Sequence, residues 1–215
     1  MALGILGCGG GQPSAASSPS GTPTASSAAD PRPSLPPSPS PAIAPVAGFG
    51  PGACTGKPAG TRTQDMGNDR LSVQVTPGWV DTSATYGPNE TLLLRLTAPN
   101  GYGNSPMTFE LHSMLGRFLS STSREQAQQR AAELQQPDPY NPAANAPAVG
   151  SIFDCTVAGD QAAYFSLVRG TQVEVDYYVL HSGFLYLVRL TGNGGITATG
   201  ATDMKAMLAS LLFGE

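Results

Sequence analysis

Apolar and polar residues alternate in three stretches that follow the first third of the chain. Residues 71–76 alternate in this way and stop at Pro77, which predicts a strand with one buried face. Residues 92–98 and 107–115 predict two further strands, and the Gly-, Asn- and Pro-rich loop between them favours a hairpin. These strands predict the first part of an antiparallel sheet.

Four more strands are predicted near the C-terminus, at 151–157, 161–169, 172–181 and 184–191. The connections between them are very short, which is typical of an antiparallel meander. In the last of these strands the apolar residues point to both faces. Such a strand has to be covered on both faces.

Two helices are predicted to provide this cover. Thr122 and Glu125 have the spacing of a capping box, and the helix that they begin is predicted to end at Pro137. A second helix is predicted over 199–213. Its apolar stripe consists of Met204, Met207, Leu208, Leu211 and Leu212. The whole pattern predicts an α+β fold, in which an antiparallel β-sheet of about six to eight strands is flanked by helices.

Composition divides the chain into three parts. Residues 9–53 consist mainly of Pro, Ser, Ala, Thr and Gly without helical or strand periodicity, which predicts a disordered tether. Residues 54–215 carry the patterns described above and predict one folded domain. Residues 1–8 end in Ile-Leu-Gly-Cys, which is similar to the lipobox of a bacterial lipoprotein signal.

Cys8, the last residue of this motif, is the predicted lipidation site. No stretch has the 18 or more consecutive apolar residues that a membrane-spanning helix needs, so we expect membrane attachment through a lipid anchor only. The alternative is an accidental motif in a secreted protein, because the residues before Cys8 are few and include no Lys or Arg. Both interpretations predict an extracytoplasmic protein.

The other two cysteines, Cys54 and Cys155, are predicted to form a disulfide. Assigning Cys8 to a lipid leaves them as one pair, and an up-and-down trace of the strands brings them toward the same end of the sheet. The bond would close a loop of about a hundred residues, for which the chain-entropy model gives a stabilisation of up to ~4.7 kcal/mol. The alternative is two unrelated thiols.

Composition and motifs exclude several functional classes. With 12% charged residues and a net charge of -4, the chain has no basic patch, so no nucleic-acid partner is expected. It has no serine-hydrolase elbow, zinc-peptidase motif, P-loop or CxxC pair, and no metal or cofactor is predicted. His112 and His181 have no ligand-forming neighbour at metal-site spacing, and we interpret both as ordinary strand or turn residues.

Glu174 and Asp176 lie on one face of a predicted strand. They have the arrangement of paired catalytic carboxylates, but Arg169 and Arg189 lie on the flanking strands within cross-strand reach. A solvated ladder of ion pairs is therefore the favoured interpretation.

A candidate binding edge is predicted at one end of the sheet. Tyr102 and Tyr140 each lie in a loop rich in Gly, Pro and Asn, where aromatic rings serve in recognition. The trace brings both loops to the end that carries Arg169 and Gly194. Gly194 belongs to a Gly-Asn-Gly-Gly turn, which is either a flexible connector or an anion site before a helix. The alternative for the tyrosines is that they only hold their own loops in place.

Three phrases carry a resemblance to a known family: LSVQVTPGWVDTS, DCTVAGDQAAYFSLVRG and QVEVDYYVLHSGFLYLVRLTG. Over about residues 60–213 the chain resembles the PsbP-like α/β/α sandwich, especially the LpqN/LpqT-type lipoproteins of high-GC Gram-positive bacteria. The resemblance implies an envelope lipoprotein without catalytic residues that binds protein partners or lipid-like ligands. Within this pattern Trp79 is interpreted as a packing residue.

These observations favour a cell-envelope lipoprotein that acts as a non-enzymatic binding module for a protein partner or a lipid-like ligand at the bacterial surface. A long tether is useful when a domain has to reach a partner away from its anchor. One alternative is a small secreted hydrolase whose site combines Ser, Asp and His181. The other is a structural spacer domain. The oligomeric state is not predicted.

Overall fold

The computed structural model describes residues 46–52, 54, 56–58, 60, 62–66, 71–86, 91–99, 106–117, 121–136 and 146–214, all within the compact unit Pro39–Glu215. The predicted signal 1–8, with Cys8, and most of the predicted tether lie outside the described residues. The strands are β1 Arg62–Met66, β2 Leu71–Val75, β3 Val80–Asp81, β4 Leu92–Thr97, β5 Met107–Arg117, β6 Ala148–Val149, β7 Phe153–Val157, β8 Asp160–Arg169, β9 Gln172–His181, β10 Phe184–Asn193 and β11 Leu212–Phe213, and the helices are α1 Ser123–Leu134 and α2 Ala198–Ala209.

Eight of the described strands form the main sheet, in the order β3-β4-β5-β10-β9-β8-β6, with β7 also paired to β8. All of its pairings are antiparallel, so the predicted fold class, hairpin and meander are confirmed. The turn between β9 and β10 shows why the connections can be so short. Ser182 and Gly183 both have positive φ, 48° and 80°, which is typical of the two-residue turns that suit the twist of a hairpin.

A second sheet, β1-β2-β11, joins α2 in covering one face of the main sheet. Met204, Met207 and Leu208 of α2 are buried in the same core as Val73 of β2 and Val188 of β10. Trp79 is buried there as well, and its Nε1 donates to Asp203 Oδ2 at 3.3 Å. The interpretation of Trp79 as a packing residue is therefore confirmed.

Helix α1 covers part of the opposite face. Its N-cap has the predicted capping box, in which Thr122 Oγ1 accepts from the Glu125 backbone N–H and the Glu125 carboxylate accepts from the Thr122 backbone N–H. Ala127 and Ala131 are buried against Phe165 of β8 and Tyr178 of β9 in a second core. The main sheet is therefore covered on both sides, as its doubly apolar last strand requires.

The end of the chain differs from the predicted long helix. Helix α2 ends at Ala209, and Ser210 caps it, because the Ser210 hydroxyl donates to the Met207 carbonyl and accepts from the Gln74 backbone N–H at 2.8 Å. This contact attaches the helix end to β2 and lets β11 pair with β2. Leu212 was predicted on the buried stripe, but it lies in β11 and is 63% exposed.

The fold also begins earlier than the composition indicates. Phe49 is only 1% exposed and belongs to the larger core, although it was assigned to the tether 9–53. Cys54 forms the predicted disulfide with Cys155 on β7, with the Cα atoms 6.0 Å apart. One apolar anchor in a Pro- and Gly-rich segment gives no periodic signal, which explains why the segment was predicted to be unstructured.

Gly56 allows this N-terminal segment to lie directly against α2. A Cβ atom at Gly56 would be 2.5 Å from the Lys205 carbonyl oxygen, whereas a Cβ at Gly50 would have no atom within 4 Å. We expect Gly56→Ala to lower the free energy of unfolding by about 1–3 kcal/mol, because the backbone has to move away from the helix. Gly50→Ala should change it by less than about 0.5 kcal/mol. Urea denaturation of both variants checks this, and equal stability would mean that the segment does not pack on α2.

Candidate binding groove

A groove of about 510 Å³ lies between α1 and the strands β5 and β10. We call it the α1 groove. Its apolar floor consists of Met114, Tyr178, Leu185 and Leu187. The polar residues around this floor are Thr91, His112, Gln126, Gln129, Arg130, Glu133 and Arg189. The groove therefore combines an apolar floor with a polar rim, and its volume is within the range of about 300–1,000 Å³ that is usual for a small-molecule site.

The groove exists because α1 packs on strands β8 and β9 at one side of the sheet face. On the same face, strands β4, β5, β10 and β9 carry a row of charged residues, which we call the charged ladder. It consists of Arg95, Glu110, Arg189 and Asp176, each directly opposite the next across neighbouring strands, together with Glu174. The ladder adjoins the groove through Arg189, which belongs to both.

Arg189 is the centre of the charged ladder. Its Nε and Nη2 donate to the two oxygens of Asp176 at 2.9 and 2.8 Å, and Nε also lies 2.9 Å from Glu174 Oε1. At the other end, Arg95 Nη1 lies 3.0 Å from Glu110 Oε1. The predicted ladder of ion pairs therefore exists, but Asp176 is fully buried, so the ladder is not solvated as predicted. Arg169 is exposed at the end of β8 and acts on Glu174 only electrostatically.

Burial and neighbouring charge act differently on the two glutamates. Burial, reinforced by the adjacent Asp176 carboxylate, raises the pKa of Glu174 to about 7 despite the opposing charge of Arg189. Burial also acts to raise the pKa of Glu110. There it is outweighed by the hydrogen bond with His112 and by the charge of Arg95, so the pKa of Glu110 is lowered. Glu174 therefore changes charge near neutral pH.

The predicted binding edge is described in part. Arg169 and Gly194 are both exposed and lie at the same end of the sheet, where the Gly194 N–H donates to the Thr171 carbonyl at 2.8 Å. Tyr102 and Tyr140 lie outside the described residues. Described residues that flank their loops, Pro106 before β5 and Pro147 before β6, lie at this end of the sheet. The role of the two tyrosines themselves stays a prediction.

His181 has a partner that its sequence position did not indicate. Its Nδ1 lies 2.8 Å from Asp160 Oδ2, and its Nε2 lies 3.4 Å from the Ser182 hydroxyl. The imidazole also stacks on the Phe213 ring with 4.8 Å between the centroids. Asp160 begins β8 and His181 ends β9, so the meander joins residues that are far apart in sequence. Two interpretations fit, a polar contact that holds β11 in place or an Asp-His-Ser relay.

In the part of the chain that the structure describes, no group of three or more His, Cys, Asp or Glu residues has the arrangement to hold a metal ion. Within the same residues, no helix has both the length and the apolar character to cross a membrane.

Comparison with known proteins gives a likeness of fold alone. No protein-family model matches the chain, and no curated protein matches it. Among solved structures, it is similar to cyanobacterial PsbP (CyanoP) from Synechocystis sp. PCC 6803, with 9% sequence identity and a TM-score of 0.46. The similarity covers 71% of this chain and 92% of that chain. The narrower resemblance to LpqN/LpqT-type lipoproteins stays a prediction.

The raised pKa of Glu174 leads to a prediction about how the free energy of unfolding depends on pH. A carboxylate whose folded-state pKa lies above its ordinary value destabilises the folded state once it is ionised, and this cost develops as the pH rises from about 4.5 to about 7. We expect Glu174→Gln to raise the free energy of unfolding by up to about 3 kcal/mol at pH ~8 and to have little effect at pH ~4. Denaturation at both pH values measures the difference.

Asp176→Asn is the matched control for this prediction. It leaves half-buried Arg189 without its bidentate partner, the fully buried Asp176 carboxylate, so we expect a loss of about 3 kcal/mol at pH ~8. A loss of stability in Glu174→Gln at pH ~8 would contradict the raised pKa of Glu174.

Proposed function

We propose that the protein is an extracytoplasmic, non-enzymatic binding module that takes up a lipid-like ligand, or an apolar segment of an envelope protein, in the α1 groove. The observation that carries this proposal is the groove itself, about 510 Å³ with an apolar floor. The Cys54–Cys155 disulfide supports an oxidising, extracytoplasmic location. Lipidation of Cys8, tethering by residues 9–53 and kinship with LpqN/LpqT-type lipoproteins are parts of the same proposal.

The groove favours a ligand with an apolar body and a polar end. Half-buried Met114, packed beside the buried Leu185 and Leu187, offers an apolar surface to the ligand body. Gln126 and Gln129 on α1 offer amide donors and acceptors at the rim. An apolar floor beside a polar rim suits an amphiphile that lies along helix α1.

The charges beside the groove favour binding over chemistry. Arg189 is held by Asp176 and Glu174, and Arg130 lies 3.2 Å from Glu133 in an exposed pair. Acid–base catalysis uses a group positioned to exchange a proton with the substrate, whereas these ions are engaged with one another. Their arrangement supports a rigid wall for the ligand.

Blocking the groove from its exposed side tests the proposal. Gln129 lines the groove, and we expect Gln129→Trp to weaken binding of the apolar fluorescent probe 8-anilinonaphthalene-1-sulfonate by at least about tenfold, since an indole fills part of the space that the probe needs. Fluorescence titration of the full chain measures the affinity, and mass spectrometry of lipids retained by the purified protein identifies the natural class.

Gln128→Trp is the matched control. Gln128 is the adjacent, exposed residue of the same helix and does not line the groove, so this change should leave the affinity within about twofold. Equal loss of binding in both variants, or no loss in either, would eliminate the α1 groove as the ligand site.

The Asp160, His181 and Ser182 contacts favour a second candidate, a hydrolase. In this interpretation His181 removes the proton from the Ser182 hydroxyl while Asp160 orients the imidazole. A fluorophosphonate probe would then label Ser182, and His181→Ala would slow the labelling by at least about 100-fold. Peptide mapping locates the label. Labelling of Ser182 no faster than that of exposed Ser151 would exclude the hydrolase.

A further inference from the structure

Described residues of the N-terminal segment contact both α2 and the edge of the main sheet. A Cβ at Gly48 would lie 3.1 Å from Ala201 Cβ on α2, and Gly56 lies against Lys205 on the same helix. Between these two points, Cys54 reaches Cys155 on β7. We call the described residues 48–52, 54 and 56 the strap. Both of its ends contact α2, and its disulfide fixes it to the edge of the sheet.

The strap closes one side of the larger core. Phe49 is 1% exposed, and the Gly50 carbonyl accepts a hydrogen bond from the Tyr164 hydroxyl. Tyr164 stacks on Tyr177 with 4.6 Å between ring centroids and lies 5.4 Å from the Phe153 ring. The strap is thus joined to a row of three aromatic rings at the edge of the sheet.

One polar group in this row has no partner. The Tyr177 hydroxyl is fully buried and makes no hydrogen bond with any described residue. Leaving a hydroxyl buried without a partner is costly, and the cost is relieved when water or a ligand reaches the hydroxyl. The strap is therefore bonded, through Tyr164, to an aromatic row that has an unused hydrogen-bonding group.

We propose that the strap is a redox-latched lid, which the Cys54–Cys155 disulfide keeps closed over the Phe153–Tyr164–Tyr177 row. Cys54 is 6% exposed, whereas Cys155 is half-buried on β7, a strand paired on one side only among the described strands. Cys155 is therefore the sulfur that an incoming thiol reaches first. Because the lid is separate from the α1 groove, the proposal does not rest on the function proposed for that groove.

The latch opens by thiol–disulfide exchange with a dithiol reductant. The first thiolate attacks Cys155 Sγ, forms a mixed disulfide with it and releases Cys54 as a thiolate, which takes up a proton. The second thiol of the reductant, as its thiolate, attacks the mixed disulfide on the reductant sulfur, which frees the Cys155 thiolate and leaves the reductant as a disulfide. Two electrons pass to the protein, and the strap loses its covalent attachment to β7.

Reduction of the full chain without denaturant tests the latch. With reduced glutathione as the probe, we expect the mixed disulfide on Cys155 and a free thiol at Cys54, as located by peptide mass spectrometry. After complete reduction, amide hydrogen exchange in residues 46–58 should accelerate by about 100-fold, while exchange in β8, β9 and β10 should change by less than about threefold. An adduct on Cys54, or unchanged exchange in the strap, would overturn the proposal.

A second readout reports the uncovered aromatic row. In the Gln129→Trp background, where the α1 groove is blocked, reduction should create a new binding site for 8-anilinonaphthalene-1-sulfonate. The Cys54→Ser, Cys155→Ser variant should show this site without reductant, and Tyr177→Phe should weaken it. Reduction that leaves fluorescence unchanged in every background would show that the strap does not cover a binding surface.

Discussion

One helix cannot cover a sheet of this width, and much of the structure follows from that limit. An α-helix is about 10 Å across and strands lie about 4.8 Å apart, so a helix covers about two strands. Among the described elements on this face of the sheet, α1 packs on β8 and β9, and strands β10, β5 and β4 lie beyond the width that the helix covers. Close to the helix these strands form the floor of an apolar groove, and farther from the helix they carry a ladder of paired charges. The candidate site lies where the α1 groove adjoins the charged ladder.

The opposite face of the main sheet is covered more completely. Helix α2, the β1-β2-β11 sheet and Phe49 bury one continuous core there. The last element of that cover comes from the N-terminal segment and is fixed by a disulfide rather than by regular hydrogen bonding. A segment rich in Gly and Pro gains little from local structure, so a covalent link is an effective way to keep it in place. The α1 face of the sheet is therefore partly open and polar, whereas the α2 face is closed and is fixed by the disulfide.

Much of the fold could be predicted because its signals are local. The capping box at Thr122 and the short turns of the meander specify their own structure within a few residues. The missed elements depend on distant contacts. Strand β11 forms because Ser210 attaches the helix end to β2, more than a hundred residues earlier in the chain. Phe49 is one aromatic residue in a segment without periodicity, so only the folded core shows its role.

The candidate site was harder to predict than the fold for the same physical reason. Alternation on one strand showed that Glu174 and Asp176 share a face, and the flanking arginines indicated the ion pairs. Burial of Asp176 depends on what covers the sheet, and no local pattern contains that information. The pairing of His181 with Asp160 is set by the register of β8 and β9 and was equally invisible in the sequence.

The same considerations of cover favour binding over hydrolysis. An acyl-transfer site gains most from fixed donors in a water-excluded cavity, where electrostatic interactions are strong. Ser182 lies exposed in a two-residue turn, and His181 already packs its ring on Phe213, which gives the imidazole a structural role in holding β11. The α1 groove, in contrast, combines an apolar floor with charges that are already paired. The proposed binding function uses these properties as they are, whereas catalysis at Ser182 would need a water-excluded enclosure around a hydroxyl that is exposed among the described residues.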